Sequence, residues 1–512
     1  MTDEPPTTDE TVVVTHDSQG AGGDDVDHQG SSAIEELVEK GPAHEFHEPQ
    51  PHILAKTSGK LGTIALAVLV FYSVSGGPFG SEETIRSAGN FYTLLGFAIF
   101  PLIWSLQEAL MTAELGAAFP EASGGVAWVE EAFGSNLAWI TGWLGYIAGV
   151  TDNAIYPVLF LDYLLQVIGG TSGEAHLAPV GRFFLLAFTC VVLSLVNWFG
   201  LQIVGRISIT VCLIAMSPFL ILSLAGIAQV DTSRWLERPD PDTAAVVAAT
   251  GADISGGFFP NATLGGILLR PYLNNLFWNL NSYNSAGTFA GDIEDPGRVL
   301  PRAMYISLVF VFFGYLIPLA VTLGASTATQ TDWEDGYFAV AASDIVGPWL
   351  GVWMVFAAGV SNIALFQAEL STESFQLMGM AERGFVPKIF ASRSRYDTPT
   401  AAIVLSTLFM VGMSSSNLEK LVELLNFNYA IGLLIEFTAF VKLRISEPNL
   451  SRPFRIPLNV SLCVVAMIPT FAASLAVMAL AKYSTMLYSF LVNVAGGVVY
   501  IILSARLVGK DL

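Results

Sequence analysis

The 512-residue chain is 53% hydrophobic and only 13% charged, with a mean hydropathy of +0.57. A soluble globular chain carries about twice that share of charge, which excludes one large soluble enzyme and predicts a chain that crosses a membrane many times. The net charge of −21 excludes nucleic acid as a partner, since that binding needs a basic surface. Cys190, Cys212 and Cys463 lie in apolar runs without metal-ligand spacing. They define neither a zinc site nor a disulfide framework, and no cofactor is implied.

Residues 1–55 hold thirteen acidic residues against the single Lys40 and are rich in Gly, Ser, Thr and Pro. Such a stretch buries too little apolar surface to fold alone. It is predicted to be a disordered acidic tail with at most a short helix at Ser31–Lys40. Five of the six histidines, His16, His28, His44, His47 and His52, fall in it and read as solvated tail residues. It has no charged-then-apolar start and is not a secretory signal.

From residue 56 to 512 the chain reads as one membrane domain. Apolar runs near the length that crosses about 30 Å of hydrocarbon centre on 61–88, 91–118, 135–168, 181–199, 202–228, 271–291, 303–325, 347–378, 399–415, 419–441, 457–480 and 485–505. The predicted fold class is thus an all-α integral membrane protein with twelve transmembrane helices, the ninth short, and both termini on one side. If that side is the cytoplasm, sixteen of the 23 Lys and Arg residues face inward and seven outward. The positive-inside rule then places the termini in the cytoplasm, and the plasma membrane is the expected location. The sequon Asn261-Ala262-Thr263 falls in the outer loop between spans five and six.

Spans one and six are interrupted. Gly76, Gly77, Pro78 and Gly80 cannot stay helical, and Ser81 is placed to cap a new half-helix whose first turn holds Glu82 and Glu83. Span six carries Asn274, Asn275, Asn279, Asn281 and Asn284 within eleven residues, poor helix formers and good hydrogen-bonders. Unwound backbone at membrane depth is tolerated where it is packed in protein or lines a cavity. Breaks five spans apart are what a five-plus-five inverted repeat predicts, with 61–228 as one repeat, 271–441 as the other and 457–505 added. Two kinked helices without a site would leave the same trace.

At these residues the chain resembles the amino acid–polyamine–organocation superfamily, and within it the polyamine:proton symporters, among them the plant polyamine uptake transporters. The resemblance is carried by Val74-Ser75-Gly76-Gly77-Pro78-Phe79-Gly80, by Phe100-Pro101-Leu102-Ile103-Trp104-Ser105 with Glu108-Ala109-Leu110 and Thr112-Ala113-Glu114, and by the run from Asp152 to Tyr163. Trp278-Asn279-Leu280-Asn281, Ser374-Phe375-Gln376-Leu377, Gly379-Met380-Ala381-Glu382-Arg383-Gly384 and Ser451-Arg452-Pro453-Phe454 extend it to the end of the chain. It implies a LeuT-like fold with broken helices one and six, and proton-coupled uptake of organic cations. The chain departs from that family in three ways. It has Asn284 where the plant-like members are acidic, a longer loop over about 238–268, and its own tail.

Intramembrane carboxylates mark function or pairing, because an unpaired ionised one costs at least ~2.5–3.5 kcal/mol at mid-membrane. Glu108, Asp152 and Glu369 are the predicted proton-coupling residues, while Glu436, nearer the span end, reads as structural. A polyamine needs carboxylate or amide oxygens for its ammonium groups and aromatic faces along its stem. The predicted substrate-binding set is Ser75, Gly76, Gly77, Tyr146, Trp278, Asn279, Asn281, Tyr283, Asn284 and Tyr429, with Tyr156 a further aromatic candidate. At the span-one break Pro78 removes a backbone donor and Glu82 and Glu83 add negative charge, which favours a cation over a zwitterion, although Gly76, Gly77 and Gly80 still offer donors. Arg206 at the end of span five reads as a loop charge rather than a stand-in for sodium.

The predicted function is secondary active import of polyamines with protons. An amino acid permease of the same superfamily and a non-transporting receptor for the same ligands stand as alternatives. No Ser/His/Asp, metal or phosphate-loop constellation points to an enzyme. The expected partners are a polyamine or amino acid, protons and the lipid bilayer. No cysteine lies at 169–180 to hold a disulfide-linked heavy chain.

Overall fold

The computed structural model describes residues 60–169, 178–413 and 418–508. The acidic tail, its histidines and the expected helix at Ser31–Lys40 lie outside the described residues. The architecture is a helical bundle. Its described strands are β1 (Thr263–Leu264) and β2 (Ile267–Leu268), an antiparallel pair pairing Leu264 with Ile267.

Helix α1 (Thr63–Val74) is followed by α2 (Glu82–Phe100), a π-turn at Pro101–Ser105 and α3 (Leu106–Ala118). Then come α4 (Gly125–Phe133), α5 (Ser135–Asn153), α6 (Tyr156–Gly169), α7 (Pro179–Trp198) and α8 (Leu201–Gly226). A long loop holding α9 (Thr243–Thr250) leads to α10 (Leu269–Leu280) and a 3₁₀ segment, Tyr283–Asp292. The rest is α11 (Pro296–Ala325), α12 (Tyr337–Ile345), α13 (Pro348–Glu382), α14 (Thr400–Met413), α15 (Leu418–Ser446), α16 (Val460–Leu480) and α17 (Tyr483–Val508).

Nine helices among the described residues are long and apolar enough to cross a membrane. They fall on predicted spans two to five, seven, eight and ten to twelve. The other three predicted spans contain the shorter helices α1, α10 and α14. Exposed Leu213 and Leu224 on α8, and Leu487, Phe490, Ile501 and Ile502 on α17, give the bundle the apolar exterior that lipid requires. Arg206 is exposed on α8, as a surface charge is.

Both expected breaks are present, with different limits. In span one the helix stops at Val74, and Gly77 and Gly80 take φ of 95° and 84°, conformations open to glycine at no steric cost. Ser81 stands at the start of the next helix but does not cap it, since its Oγ donates to the Pro78 carbonyl at 2.6 Å. The Glu82 carboxylate accepts the N–H of Gly80 at 2.8 Å and of Gly336 at 3.2 Å, tying the break to the residue before α12. The half-helix then turns at Gly89, φ 67°, into span two. In span six the five asparagines do not unwind the whole stretch. The helix runs to Leu280, and only Asn281 and Ser282 leave it, Ser282 with φ 73°.

The freed backbone groups find partners, as they must inside a membrane. Ser361 Oγ donates to Gly76 O at 2.7 Å, Asn275 Nδ2 to Gly80 O at 2.9 Å and Ser105 Oγ, in the π-turn, to Leu280 O at 2.6 Å. Ser75 donates to the Tyr315 hydroxyl at 2.8 Å, and Tyr315 donates to Asn279 Oδ1 at 2.7 Å, tying one break to the helix before the other.

Three further acidic clusters are paired with arginine. Glu114 accepts both Arg444 and Arg452 and the N–H of Ile456, Arg383 binds Glu121 and Glu130, and Arg393 meets Asp292 at 2.9 Å. The three cysteines are buried free thiols. Among the described residues no group of side chains has the makings of a metal site.

Candidate functional site

A cavity of about 290 Å³ opens between the two breaks. Its floor is Ser75, Gly76, Asn279 and Asn281. Its wall is Asp152, Tyr156 and Trp278, and its mouth carries Glu83, Arg86, Asp253, Asp335 and Glu423.

Asp152 ends α5 and Tyr156 begins α6, one turn apart across a bend at Ala154 and Ile155. The bend turns both side chains toward the cavity. Asp152 Oδ2 accepts the Tyr156 hydroxyl at 2.8 Å, and Oδ1 accepts Trp278 Nε1 at 2.9 Å. Both donors are neutral, so the carboxylate is held in place without being discharged. The Trp278 ring lies over Gly80, where a Cβ would be 3.2 Å from Cζ3, and so forms a flat apolar wall. Asn281 Nδ2 is buried and has no partner among the described residues.

The mouth is walled by the long loop. Arg86 Nη2 donates to Thr250 O at 2.8 Å. Arg270 donates to four backbone carbonyls, those of Leu480, Asp253, Ser255 and Gly256. Lys482 Nζ sits 2.9 Å from Asp253 and 3.9 Å from Glu423. Hydrogen bonds from Ser255 and Lys482 hold the Asp253 carboxyl down at about 2, so it is ionised at every working pH and its charge is met by Lys482.

Behind the span-six break lies a second polar group. Glu108 Oε1 accepts the N–H of Asn284 at 2.9 Å and the Tyr429 hydroxyl, and Oε2 accepts Trp104 Nε1 at 3.2 Å. Tyr429 Oη accepts the N–H of Ser282 at 3.0 Å and lies 2.7 Å from Asn284 Oδ1. Asn284 Nδ2 donates to Glu436 at 2.9 Å. Glu108 therefore does for the broken backbone what a helix would have done. Tyr429→Phe removes the hydroxyl that serves Ser282 and Glu108. Leaving such buried partners unmet costs about 1–3 kcal/mol. Uptake should fall about tenfold and the melting temperature should drop, read by initial rates and a thermal melt of the purified protein.

Of the predicted residues, Ser75, Gly76, Asp152, Trp278, Asn279 and Asn281 meet at the cavity surface. Glu108, Tyr283, Asn284 and Tyr429 cluster behind the break. Gly77 faces α8, where a Cβ would lie 3.0 Å from Met216 Sδ. Tyr146 bonds Ser406 at 3.1 Å, and Glu369 is buried on α13. Sequence reasoning missed Tyr315, an apolar-span tyrosine with no polar neighbour to mark it. It also missed Glu373, although its four-residue spacing from Glu369 was a readable signal.

The sequence model described as "Amino acid permease" matches residues 61–505. The chain belongs to the amino acid permease family. A probable polyamine transporter of Arabidopsis thaliana is 40% identical over 447 residues, 87% of either chain. Polyamine transporter PUT1 of Oryza sativa subsp. japonica is 40% identical over 417 residues, 81% of this chain and 73% of its own. Polyamine transporter RMV1 of Arabidopsis thaliana is 39% identical over 440 residues, 85% of this chain and 84% of its own. This permease is thus an integral, multi-pass membrane protein whose relatives are transporters.

Proposed function

We propose that the protein is a secondary transporter that imports polyamines of the putrescine and spermidine type by symport with protons. The observation that carries the reading is Asp152, a carboxylate at the cavity surface that accepts only from the neutral Tyr156 and Trp278. A substrate ammonium supplies the positive charge it lacks. Trp278 and Tyr156 offer faces to the alkyl stem, and Ser75, Asn279 and Asn281 offer oxygens to further amines. The names of the relatives support the same substrate class.

One detail weighs against import of amino acids by the same site. A substrate carboxylate would need free N–H groups at the half-helix start. Gly77 N already donates to Ser75 Oγ at 3.0 Å and Gly80 N to Glu82, while Pro78 has none. A non-transporting receptor would bind the same ligands without flux.

In this reading the chain has twelve spans in a LeuT-like five-plus-five arrangement, and the paired breaks at 75–81 and 281–282, each braced by residues of the other half, support it. Tyr146, Tyr283, Asn284 and Tyr429 shape or support the site, with Gly76 and Gly77 at the unwound backbone. Glu108, Asp152 and Glu369 are the carboxylates available to the proton. Residues 1–55 form a cytoplasmic tail, the membrane is the plasma membrane, and no disulfide-linked heavy chain is needed.

Uptake of labelled putrescine, spermidine and a panel of amino acids into proteoliposomes, with and without an inward proton gradient, tests the function. Polyamine accumulation that grows with the gradient supports it, and accumulation of amino acids alone overturns it. The orientation has its own test. Protease added outside sealed right-side-out vesicles should leave the tail intact, and a tail cut from outside reverses the topology.

A further inference from the structure

We propose that Glu369 and Glu373, one turn apart on α13, form the site that holds the coupled proton, behind the cavity rather than in it. The inference rests on the proton-coupled polyamine reading above and adds where the proton resides.

Both side chains are buried, at 4% and 1% exposure. Among the described residues Glu369 Oε1 and Glu373 Oε2 have no hydrogen-bond partner. The other Glu373 oxygen accepts a long bond from Asn153 Nδ2, 3.4 Å. Four residues on a helix advance about 6 Å, so the pair continues, turn by turn, the line of Asn362 and Leu365, which do line the cavity. Neither glutamate does.

Size decides the ligand. Gly149 of α5 faces Glu373, and a Cβ there would lie 3.5 Å from both Glu373 Cβ and Oε2. Helix α5 is that close, and an alkylammonium has no room between the two. A proton needs none. An unpaired ionised carboxylate at this depth costs at least ~2.5–3.5 kcal/mol, whereas a neutral carboxyl carrying its own proton avoids that cost. Glu108 is the contrasting case, with three donors aimed at its oxygens.

The groups facing the pair are few. Asp152 and Tyr146 on α5 and Tyr156 on α6 are its titratable neighbours. Uncharged Asn197 on α7 bonds Gln367 O and Ser371, and the Ser406 hydroxyl on α14 bonds Tyr146 and also faces the Glu373 carboxyl. Toward the cavity along α13, Tyr72 and Cys212 gather near Ser361, and α12, with Tyr337 and Asp344, meets α13 through Ser343 at Gly351. Past Glu373, the 3₁₀ segment that carries Asp292 meets α13 through Phe289 and Phe375, and Lys388 follows the helix.

Asp152 is the carboxylate that both touches the cavity and faces the pair. A proton from cavity water reaches Asp152 and passes to Glu369 and then Glu373. The first step breaks an O–H bond of hydronium and forms the Asp152 carboxyl O–H; each later step breaks one carboxyl O–H bond and forms the next, with no change in oxidation state. Once the proton has moved on, Asp152 is an anion again and pairs with the substrate ammonium.

The test uses the full chain in proteoliposomes loaded with a pH dye, comparing wild type with Glu369→Gln and Glu373→Gln, amides that mimic the neutral acid. In wild type, polyamine influx should acidify the lumen. In either variant, substrate-driven acidification and gradient-driven accumulation should fall about 100-fold, the scale of losing a proton-transfer group. Polyamine exchange at equal pH should stay within about threefold of wild type, because substrate contacts are untouched. Glu373→Asp, still titratable, should restore part of the coupling, which a purely structural role would not require. A wild-type ratio of protons to polyamine in both amide variants overturns the proposal, as does loss of exchange together with coupling. If wild type itself moves polyamine without protons, the coupled reading fails first, and the wild-type trace shows it.

Discussion

Asp152→Asn should lower polyamine uptake by about 30-fold to several thousand-fold. Removing one partner of a desolvated charge pair costs about 2–5 kcal/mol, and each 1.4 kcal/mol is about tenfold. The substitution is close to isosteric. The asparagine keeps an oxygen for Trp278 Nε1, and the Tyr156 hydroxyl can reverse to accept from the new amide. The protein should therefore insert and melt much as wild type does while binding fails. Initial rates at several polyamine concentrations, beside a thermal melt, separate the two. Uptake within twofold of wild type would place the ammonium site elsewhere in the cavity.

Gly77→Leu should abolish uptake without preventing insertion. Its backbone sits at φ 95°, which costs a side-chain-bearing residue about 1–2 kcal/mol. The new side chain would also start 3.0 Å from Met216 Sδ, with Phe219 behind it. The damage comes from prising the break away from α8 rather than from filling the cavity. Gly77→Ala meets the same backbone cost with less bulk and should keep partial activity. Full uptake by a well-inserted leucine variant would show that the segment is only a kink.

The order of spans and the two interruptions were legible because each rests on local chemistry. Long apolar runs define the helices, and Gly-Gly-Pro cannot continue one. What failed was the extent of the second break. Asparagine density suggested an interruption spread over residues 274–284, yet Asn275 and Asn279 stay helical because their side chains are engaged. Asn275 Nδ2 reaches Gly80 O and Asn279 Oδ1 accepts Tyr315, partners 195 and 36 residues away. Propensity cannot see such contacts. The same limit explains Ser81, whose hydroxyl turns back to the Pro78 carbonyl instead of capping, and Tyr429, which was chosen as a ligand face but holds the break from behind. Asp152 was found because a lone carboxylate in an apolar span is rare and costly. Its neutral partners could be known only from the fold.

The loop over the mouth is fastened to the half-helix of span one through Arg86 and to the start of α10 through Arg270. Any rearrangement that narrows the entrance must carry this loop along or break those bonds. It is therefore a handle on turnover reachable from its own face of the protein. An antibody fragment gripping residues 257–263, beyond the lining residue Asp253, would slow cycling while the substrate pocket stayed intact, inhibition without competition. A glycan on Asn261, exposed at the same loop, would add drag at the same place.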